Sequence, residues 1–299
     1  LLFGINILSN LNGISSESCP SRLSIIPCEC IEKLNRQIIC EKSLYTGHML
    51  KQIFQEASRD LQLTKPIKFG QFILQNSLIE DLTDDTFDKF AFTEIRIRNN
   101  EYLKTIDIQA FKSSYYVSDK LLIESNQNLA SVPFAEIQIF ELLSKFSNLS
   151  FIWLNDCGLK SIPVDAFKGN HFLRLEIVSL ANNKIHQIES RAFYALTNLR
   201  HLNLKGNQID YLKSDSLKMQ IIEYDYNMSI DLSENRLNSQ SFAHDSLASI
   251  KRSLQLDLSH NHLTYLNESI FLPLFTRSID VKLWGNPITC SNCSLKWLT

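Results

Sequence analysis

Regularly spaced leucines recur along most of this 299-residue chain at a period of about two dozen residues. The clearest unit reads Leu199-x-x-Leu202-x-Leu204-x-x-Asn207-x-Ile209-x-x-Leu212. Strong copies of the pattern begin at Leu149, Leu175 and Leu256. Weaker copies fill the gaps, so that about nine units lie between Ile67 and Thr289. A repeat sustained this far restricts the chain to a stacked architecture, because every unit must take nearly the same shape.

The alternation of residues inside each unit predicts a short β-strand. In Leu202-x-Leu204 the two leucines point to one side of the strand, and the residue between them points to the other. One unit cannot bury its own apolar side, so neighbouring units must stack and share a continuous core. We therefore predict an α/β repeat solenoid of the leucine-rich repeat type, with a curved parallel β-sheet on its concave face.

Two further positions in the unit are expected to be buried. The asparagine at the ninth place is expected to satisfy backbone groups of neighbouring turns with its side-chain amide. Cys157 occupies this place in its unit, and its weak S–H donor can partly replace the amide. We interpret Cys157 as structural rather than as a reactive thiol. Phenylalanines after the last leucine are expected to fill the convex side of the core: Phe87, Phe167, Phe193 and Phe271.

The cysteines are concentrated at the two ends of the repeat array. The chain has 7 cysteines, of which Cys19, Cys28, Cys30 and Cys40 precede the array and Cys290 and Cys293 follow it. The first cluster resembles a zinc site in its density but lacks a paired C-x-x-C arrangement. Disulfide bonds are the better interpretation for an exported chain.

Other features also favour export. The uncharged stretch from Leu1 to Leu8 resembles the core of a signal peptide without its basic front, although an N-terminal strand is the alternative. No later stretch approaches the roughly 18 apolar residues that a membrane helix needs, so no membrane span is expected. Four sequons for N-glycosylation are present, at Asn148, Asn227, Asn267 and Asn292. We predict a secreted or extracellular protein.

A stacked array needs caps on its first and last units, and the cysteine clusters lie where caps belong. The run Cys19-Pro20-x7-Cys28-x-Cys30-x9-Cys40 resembles the N-terminal cap of extracellular leucine-rich repeat proteins. This resemblance implies pairing of Cys19 with Cys30 and of Cys28 with Cys40. The run from Gly285 to Leu298 is similar to the start of the C-terminal cap, whose pattern expects two further cysteines, which leaves the pairing of Cys290 and Cys293 open. The expected division is a signal remnant or linker at 1–18, an N-terminal cap at 19–66, repeats at 67–284 and a partial C-terminal cap at 285–299.

A narrower resemblance involves the arthropod family of oplophorus-luciferin 2-monooxygenase non-catalytic subunits. It is carried by the caps, by Asn99-Asn100-Glu101-Tyr102-Leu103 and by Phe151-Ile152-Trp153-Leu154-Asn155. The resemblance covers almost the whole chain and implies an accessory subunit that binds a partner rather than catalysing a reaction.

Candidate binding residues lie between and just after the strand leucines, where side chains point outward onto the concave face. Arg96 and Arg98 are expected to form a basic spot near one end, and Asp231, Glu234 and Asp257 an acidic stretch toward the other. Phe151, Trp153 and Asn155 lie on one strand between these two charged regions. Aromatic residues and arginine dominate binding hot spots, which favours a partner contact here. Ordinary solvated surface is the alternative for each of these groups.

The sequence contains no catalytic motif that would support an enzyme. It lacks G-x-S-x-G, H-E-x-x-H and a glycine-rich phosphate loop, and its 8 glycines are few. His260 and His262 flank Asn261 in a turn without carboxylates at ligand spacing, so neither a metal nor a cofactor is expected. The formal net charge of −2 does not indicate the basic surface that nucleic acid binding requires, although a local charged patch is compatible with it.

These observations predict a module that binds a protein partner. That partner is expected to be a secreted enzyme subunit, or a receptor ligand if the chain is the ectodomain of a membrane-anchored receptor. An adhesion or innate-immune protein belongs to this second possibility. A structural matrix protein is a further alternative, and an enzyme is the least favoured class.

Overall fold

The computed structural model describes residues 18–32, 35–42, 44–169, 172–220, 227–248, 250, 253–275 and 280–289. The predicted signal remnant, apart from Ser18, lies outside these residues, as do Cys290, Cys293 and the sequon at Asn292.

The dominant element within the described residues is one sheet of eleven strands. Its order is β1-β2-β3-β5-β7-β8-β10-β12-β13-β14-β15, and all neighbours are parallel except β1 and β2. The strands are β1 (Glu29–Ile31), β2 (Gln37–Glu41), β3 (Ile67–Gln75), β5 (Phe90–Arg98), β7 (Lys120–Glu124), β8 (Phe151–Asn155), β10 (Ile177–Ser179), β12 (His201–Asn203), β13 (Met228–Asp231), β14 (Leu254–Asp257) and β15 (Asp280–Lys282). The predicted parallel solenoid is confirmed.

Short elements complete the coils away from this sheet. Two small parallel pairs join β4 (Asp81–Leu82) with β6 (Thr105–Ile106), and β9 (Ser161–Ile162) with β11 (Gln187–Ile188). The helices are α1 (Arg22–Ile25), α2 (Gly47–Asp60), α3 (Ala135–Leu143) and α4 (Glu268–Phe275), with a 3₁₀ turn at Lys112–Ser114.

The buried asparagines form the ladder that the repeat predicts. The side-chain nitrogen of Asn207 donates to Leu180 O at 3.0 Å and to Leu204 O at 2.9 Å, while its oxygen accepts from Ile185 N at 3.0 Å. Cys157 takes the same place with its Sγ 3.3 Å from Ile123 O. Burial raises the pKa of the Cys157 thiol to about 12. A buried thiol that donates to a backbone carbonyl at the place of the ladder asparagine agrees with the structural interpretation.

Stacked phenylalanines fill the convex side of the core. The rings of Phe87 and Phe111 stack with centroids 5.3 Å apart, and those of Phe167 and Phe193 stack at 5.8 Å. All four side chains are fully buried. Between the two stacks the coil carries helix α3, which the repeat pattern does not specify.

The N-terminal cap closes the array with two disulfides and one helix. Cys19 pairs with Cys30 and Cys28 with Cys40, as the family resemblance implied. Helix α2 begins after Thr46, whose hydroxyl accepts from Met49 N at 3.1 Å, a typical N-cap bond. The helix inserts Phe54 into a cluster of rings from the first coils, which comprises Phe72, Phe87, Phe90 and Phe92. This cluster joins the cap to the first coils.

Candidate binding face

Outward side chains of the large sheet form three parallel rows on the concave face. The register aligns the predicted residues in the middle row: Ile39, Ile73, Arg96, Leu122, Trp153, Ser179, Asn203, Asp231, Asp257 and Lys282. A second row lies two residues earlier on each strand: Gln37, Gln71, Glu94, Lys120, Phe151, Ile177, His201, Ser229, Gln255 and Asp280. A third follows the middle row at Glu41, Gln75, Arg98, Glu124 and Asn155.

The centre of the face carries a group of apolar side chains. Trp153 lies between Leu122 and Ser179 in register, and Phe151 lies between Lys120 and Ile177. The Lys120 ammonium is 5.1 Å from the centre of the Phe151 ring, a cation–π contact. Leu122 is buried, whereas Phe151 and Trp153 are half-buried and accessible. We call Leu122, Phe151, Trp153 and Ile177 the central patch.

The two arginines predicted as a basic spot lie among acidic and amide groups. Arg96 Nε forms an ion pair with the carboxylate of Glu94 on its own strand. Arg98 Nε donates to Gln75 Oε1 at 2.8 Å on the neighbouring strand. Glu124 follows Arg98 in the same row. The positive charge is thus locally balanced, and both guanidinium groups are held along the sheet.

The aspartates at the other end serve the backbone of their own turns. Asp231 Oδ1 accepts from Ser233 N at 2.9 Å, and Asp257 Oδ1 accepts from Ser259 N at 2.9 Å. Asp257 Oδ2 also lies 3.6 Å from Lys282 Nζ. Each aspartate therefore turns its Oδ1 toward the backbone of its own turn, and Asp257 turns its second oxygen toward Lys282.

Asn155 is similarly engaged. Its Oδ1 accepts from Ser179 Oγ at 2.8 Å and from Ala181 N at 3.0 Å, which leaves the side-chain NH₂ group as the part free to contact a partner.

Sequence reasoning missed the apolar partner and the cation beside the aromatic residues. Lys120 and Ile177 flank Phe151 in the earlier row, of which only Phe151 was predicted as a binding residue. The signal was available, because strand residues two apart share a face.

A comparison with known families agrees with this architecture. The family model described as leucine rich repeat matches residues 147–209, which include β8, β10 and β12. The stacked parallel coils extend the same pattern to both sides of this region. The chain has the leucine-rich repeat fold.

Two relatives and one solved structure are informative. The chain is 25% identical over 307 residues to the oplophorus-luciferin 2-monooxygenase non-catalytic subunit of Oplophorus gracilirostris, covering 94% of this chain and 79% of that protein. It is 30% identical over 159 residues to transforming growth factor beta activator LRRC33 of Danio rerio, covering 52% of this chain and 20% of that protein. The Drosophila Toll–Spatzle complex structure matches with a TM-score of 0.57 at 17% identity, covering 89% of this chain and 36% of that chain. The last likeness shows the fold alone.

The sequons of the described repeats lie outside the central patch. Asn227 and Asn267 are exposed, and Asn148 is half-buried. Asn148 Oδ1 accepts from Arg174 Nη1 at 2.6 Å. Asn148 and Asn227 come shortly before β8 and β13, on the side where the chain enters the sheet. Their glycosylation remains a prediction.

His260 contacts Trp284 near the C-terminal end of the repeats. The His260 ring lies edge-on to Trp284 with centroids 4.1 Å apart, and its backbone N donates to Trp284 O at 2.9 Å. Within the described part of the chain, no three His, Cys, Asp or Glu residues are grouped to hold a metal ion. In the same part, no helix is long and apolar enough to cross a membrane.

Proposed function

We propose that this leucine-rich repeat chain is a secreted, non-catalytic module that binds a protein partner on its concave face. The observation that carries the proposal is the central patch, where Phe151 and Trp153 stay accessible on a sheet surface that is otherwise mostly polar. Aromatic residues bury a large area at a low entropic cost, which makes them common binding anchors. Arg96, Arg98, Asn155, Asp231 and Asp257 would supply the polar rim around this anchor.

The partner we favour is a secreted enzyme subunit. The support is the similarity over 94% of this chain to a protein named as a non-catalytic subunit of a monooxygenase. Secretion is supported by the two cap disulfides, which persist in oxidising compartments. The non-catalytic role is supported by the same relative, whose name describes a non-catalytic subunit.

A receptor ectodomain is the second candidate. The observation that favours it is the 31% identity over 110 residues to Toll-like receptor 3 of Boselaphus tragocamelus, which covers 34% of this chain and 12% of that protein. The two candidates differ in the partner that the concave face captures, which is an enzyme subunit in one case and a receptor ligand in the other. If the chain were instead a structural matrix protein, its concave face would capture matrix components.

The test compares two aromatic truncations, one inside and one outside the concave rows. Partners would be captured from native secretions with three proteins: the secreted full chain, Trp153→Ala and Tyr211→Ala. The dissociation constant of each for the recovered protein would then be measured. Tyr211 is an exposed aromatic outside the concave rows, so it controls for the loss of a ring. We expect Trp153→Ala to weaken binding by about 30-fold, typical of a hot spot, and Tyr211→Ala to change it less than about twofold. Equal affinities for all three proteins would contradict the concave site.

A further inference from the structure

A hollow of about 600 Å³ lies on the convex side of the solenoid, away from the central patch. Its walls come from three consecutive coils: the 3₁₀ turn at Lys112–Ser114, the end of helix α3 and the turn that follows Phe167. The stacked phenylalanines lie directly beneath, because Lys112 and Lys168 each follow a buried ring of the core, Phe111 and Phe167. We call this site the convex hollow.

Each of the three coils contributes one lysine to the convex hollow. These are Lys112, Lys145 and Lys168, and no carboxylate is among the lining residues. Lys145 lies 3.8 Å from Glu141 one helical turn earlier, a weak pair on the rim. Lys112 and Lys168 are exposed and occupy equivalent positions two coils apart. Since neighbouring strands are about 4.8 Å apart and the convex side is the wider one, their backbones are at least about 10 Å apart. The hollow therefore presents several separated positive charges rather than one point.

Two tyrosines line the convex hollow, one of them buried and the other exposed. Tyr115 is buried, packs edge-on against Phe146 at 5.0 Å and donates its hydroxyl to Ile108 O. Tyr116 next to it is 81% exposed, so its ring face is open to solvent at the edge of the lysines. Ser147, which also lines the hollow, is held next to Tyr115, because its backbone N donates to Tyr115 O at 2.9 Å.

We infer that the convex hollow binds a sulfated glycan. The separated ammonium groups match a ligand that carries several dispersed anions, since each lysine acts as a point charge without the planar fork of arginine. The exposed Tyr116 ring offers an apolar face on which a sugar ring packs. A single-stranded nucleic acid fits less well, because its bases need a succession of stacking rings and the lining residues offer one exposed ring. This site is separate from the concave face, and the two proposals fail or succeed independently.

The experiment measures binding of heparin, a heavily sulfated glycan, to the full chain at about 0.15 M salt, where charges are screened over roughly 8 Å. One variant combines Lys112→Ala with Lys168→Ala. The matched control combines Lys184→Ala with Lys218→Ala, two exposed lysines that do not line the hollow. Both variants remove two positive charges, so a nonspecific attraction would fall equally in both. We expect the hollow variant to bind heparin about tenfold more weakly, because it loses two surface ion pairs, and the control to stay within about twofold.

Two further measurements distinguish the possible ligands. Chemically desulfated heparin should bind at least about tenfold more weakly than heparin, because it keeps the sugar chain and loses the anions. Tyr116→Ala should weaken the binding of heparin, because a sugar ring can no longer pack on the tyrosine. The same change should leave the inhibition of heparin binding by inorganic sulfate unaffected, because sulfate has no ring to pack on Tyr116.

The inference is overturned if both double variants lose equal affinity, if desulfated heparin binds as well as heparin, or if RNA of equal charge binds more tightly. Thermal unfolding checks that the variants fold, since exposed lysine substitutions should change stability by less than about 0.5 kcal/mol.

Discussion

Each buried asparagine of the ladder joins two coils, because its amide donates to carbonyl groups of both. The side-chain nitrogen of Asn207 reaches Leu180 O in the preceding coil and Leu204 O in its own. At Cys157 one thiol hydrogen faces two carbonyl oxygens, Ile123 O and Asn155 O, each at 3.3 Å. Because sulfur is a weak donor, this rung is held less firmly than the others.

An exchange of residues between the two rungs tests this difference. Cys157→Asn is expected to raise the free energy of unfolding by about 1 kcal/mol, because an amide donates two strong hydrogen bonds to the two carbonyls. The reverse change, Asn207→Cys, should lower it by about 1–3 kcal/mol, since buried backbone groups lose their partners. Urea denaturation followed by circular dichroism measures both. If the two substitutions are equally destabilising, side-chain packing rather than hydrogen bonding governs the ladder.

Helix α3 gives its coil a helical convex segment that the repeat motif does not specify. Its inward residues pack on the stacked rings on both sides: Phe140 meets Phe167 at 5.4 Å, while Phe146 just beyond the helix meets Phe111 at 6.0 Å. The repeat motif predicts this coil correctly up to Leu129 and Val132. It does not specify the extra residues that follow, because the convex part of the unit varies in length whereas the strand and the asparagine are fixed by stacking. The sequence thus predicts the sheet better than the convex side.

The residue before α3 adopts a costly backbone conformation. Phe134 has a φ of 63° and is 72% exposed, so little packing compensates for the steric penalty of a side chain in the left-handed region. Phe134→Gly should raise the free energy of unfolding by up to about 1 kcal/mol, because glycine has no Cβ to clash. Phe134→Ala keeps the Cβ and is the control, with no gain expected. Denaturant titration gives both values, and a gain for alanine equal to that for glycine would show that the ring rather than the backbone is the source of strain.

At the scale of the whole molecule, the repeat register predicts which side chains share a face but not which charges gather on the convex side. The row containing Trp153 follows directly from the Leu-x-Leu spacing, because parallel stacking aligns equivalent residues. Lys112, Lys145 and Lys168 come from three coils at positions that the motif leaves free, so their gathering was not predictable. The net charge of −2 averages over such local groups and hides them. Long strands β3 and β5 were also unforeseen, since they depend on Phe54 from the cap helix packing against their rings.

The last prediction follows from the one-dimensional contacts of a stacked array. The bridge between Cys28 and Cys40 closes a short loop of sequence separation 12, and a loop of this length contributes about 3 kcal/mol. Replacing both cysteines with serine should therefore destabilise β2 and β3, which lie next to the bridge, by about that amount. Hydrogen exchange should therefore accelerate in β2 and β3. It should stay unchanged in β12 and β13, because these strands contact only their neighbouring coils. Cys157→Ser, which removes a sulfur without opening a bridge, serves as the control. Uniform acceleration in every strand would mean instead that the array opens as one cooperative unit, with the cap stabilising all coils equally.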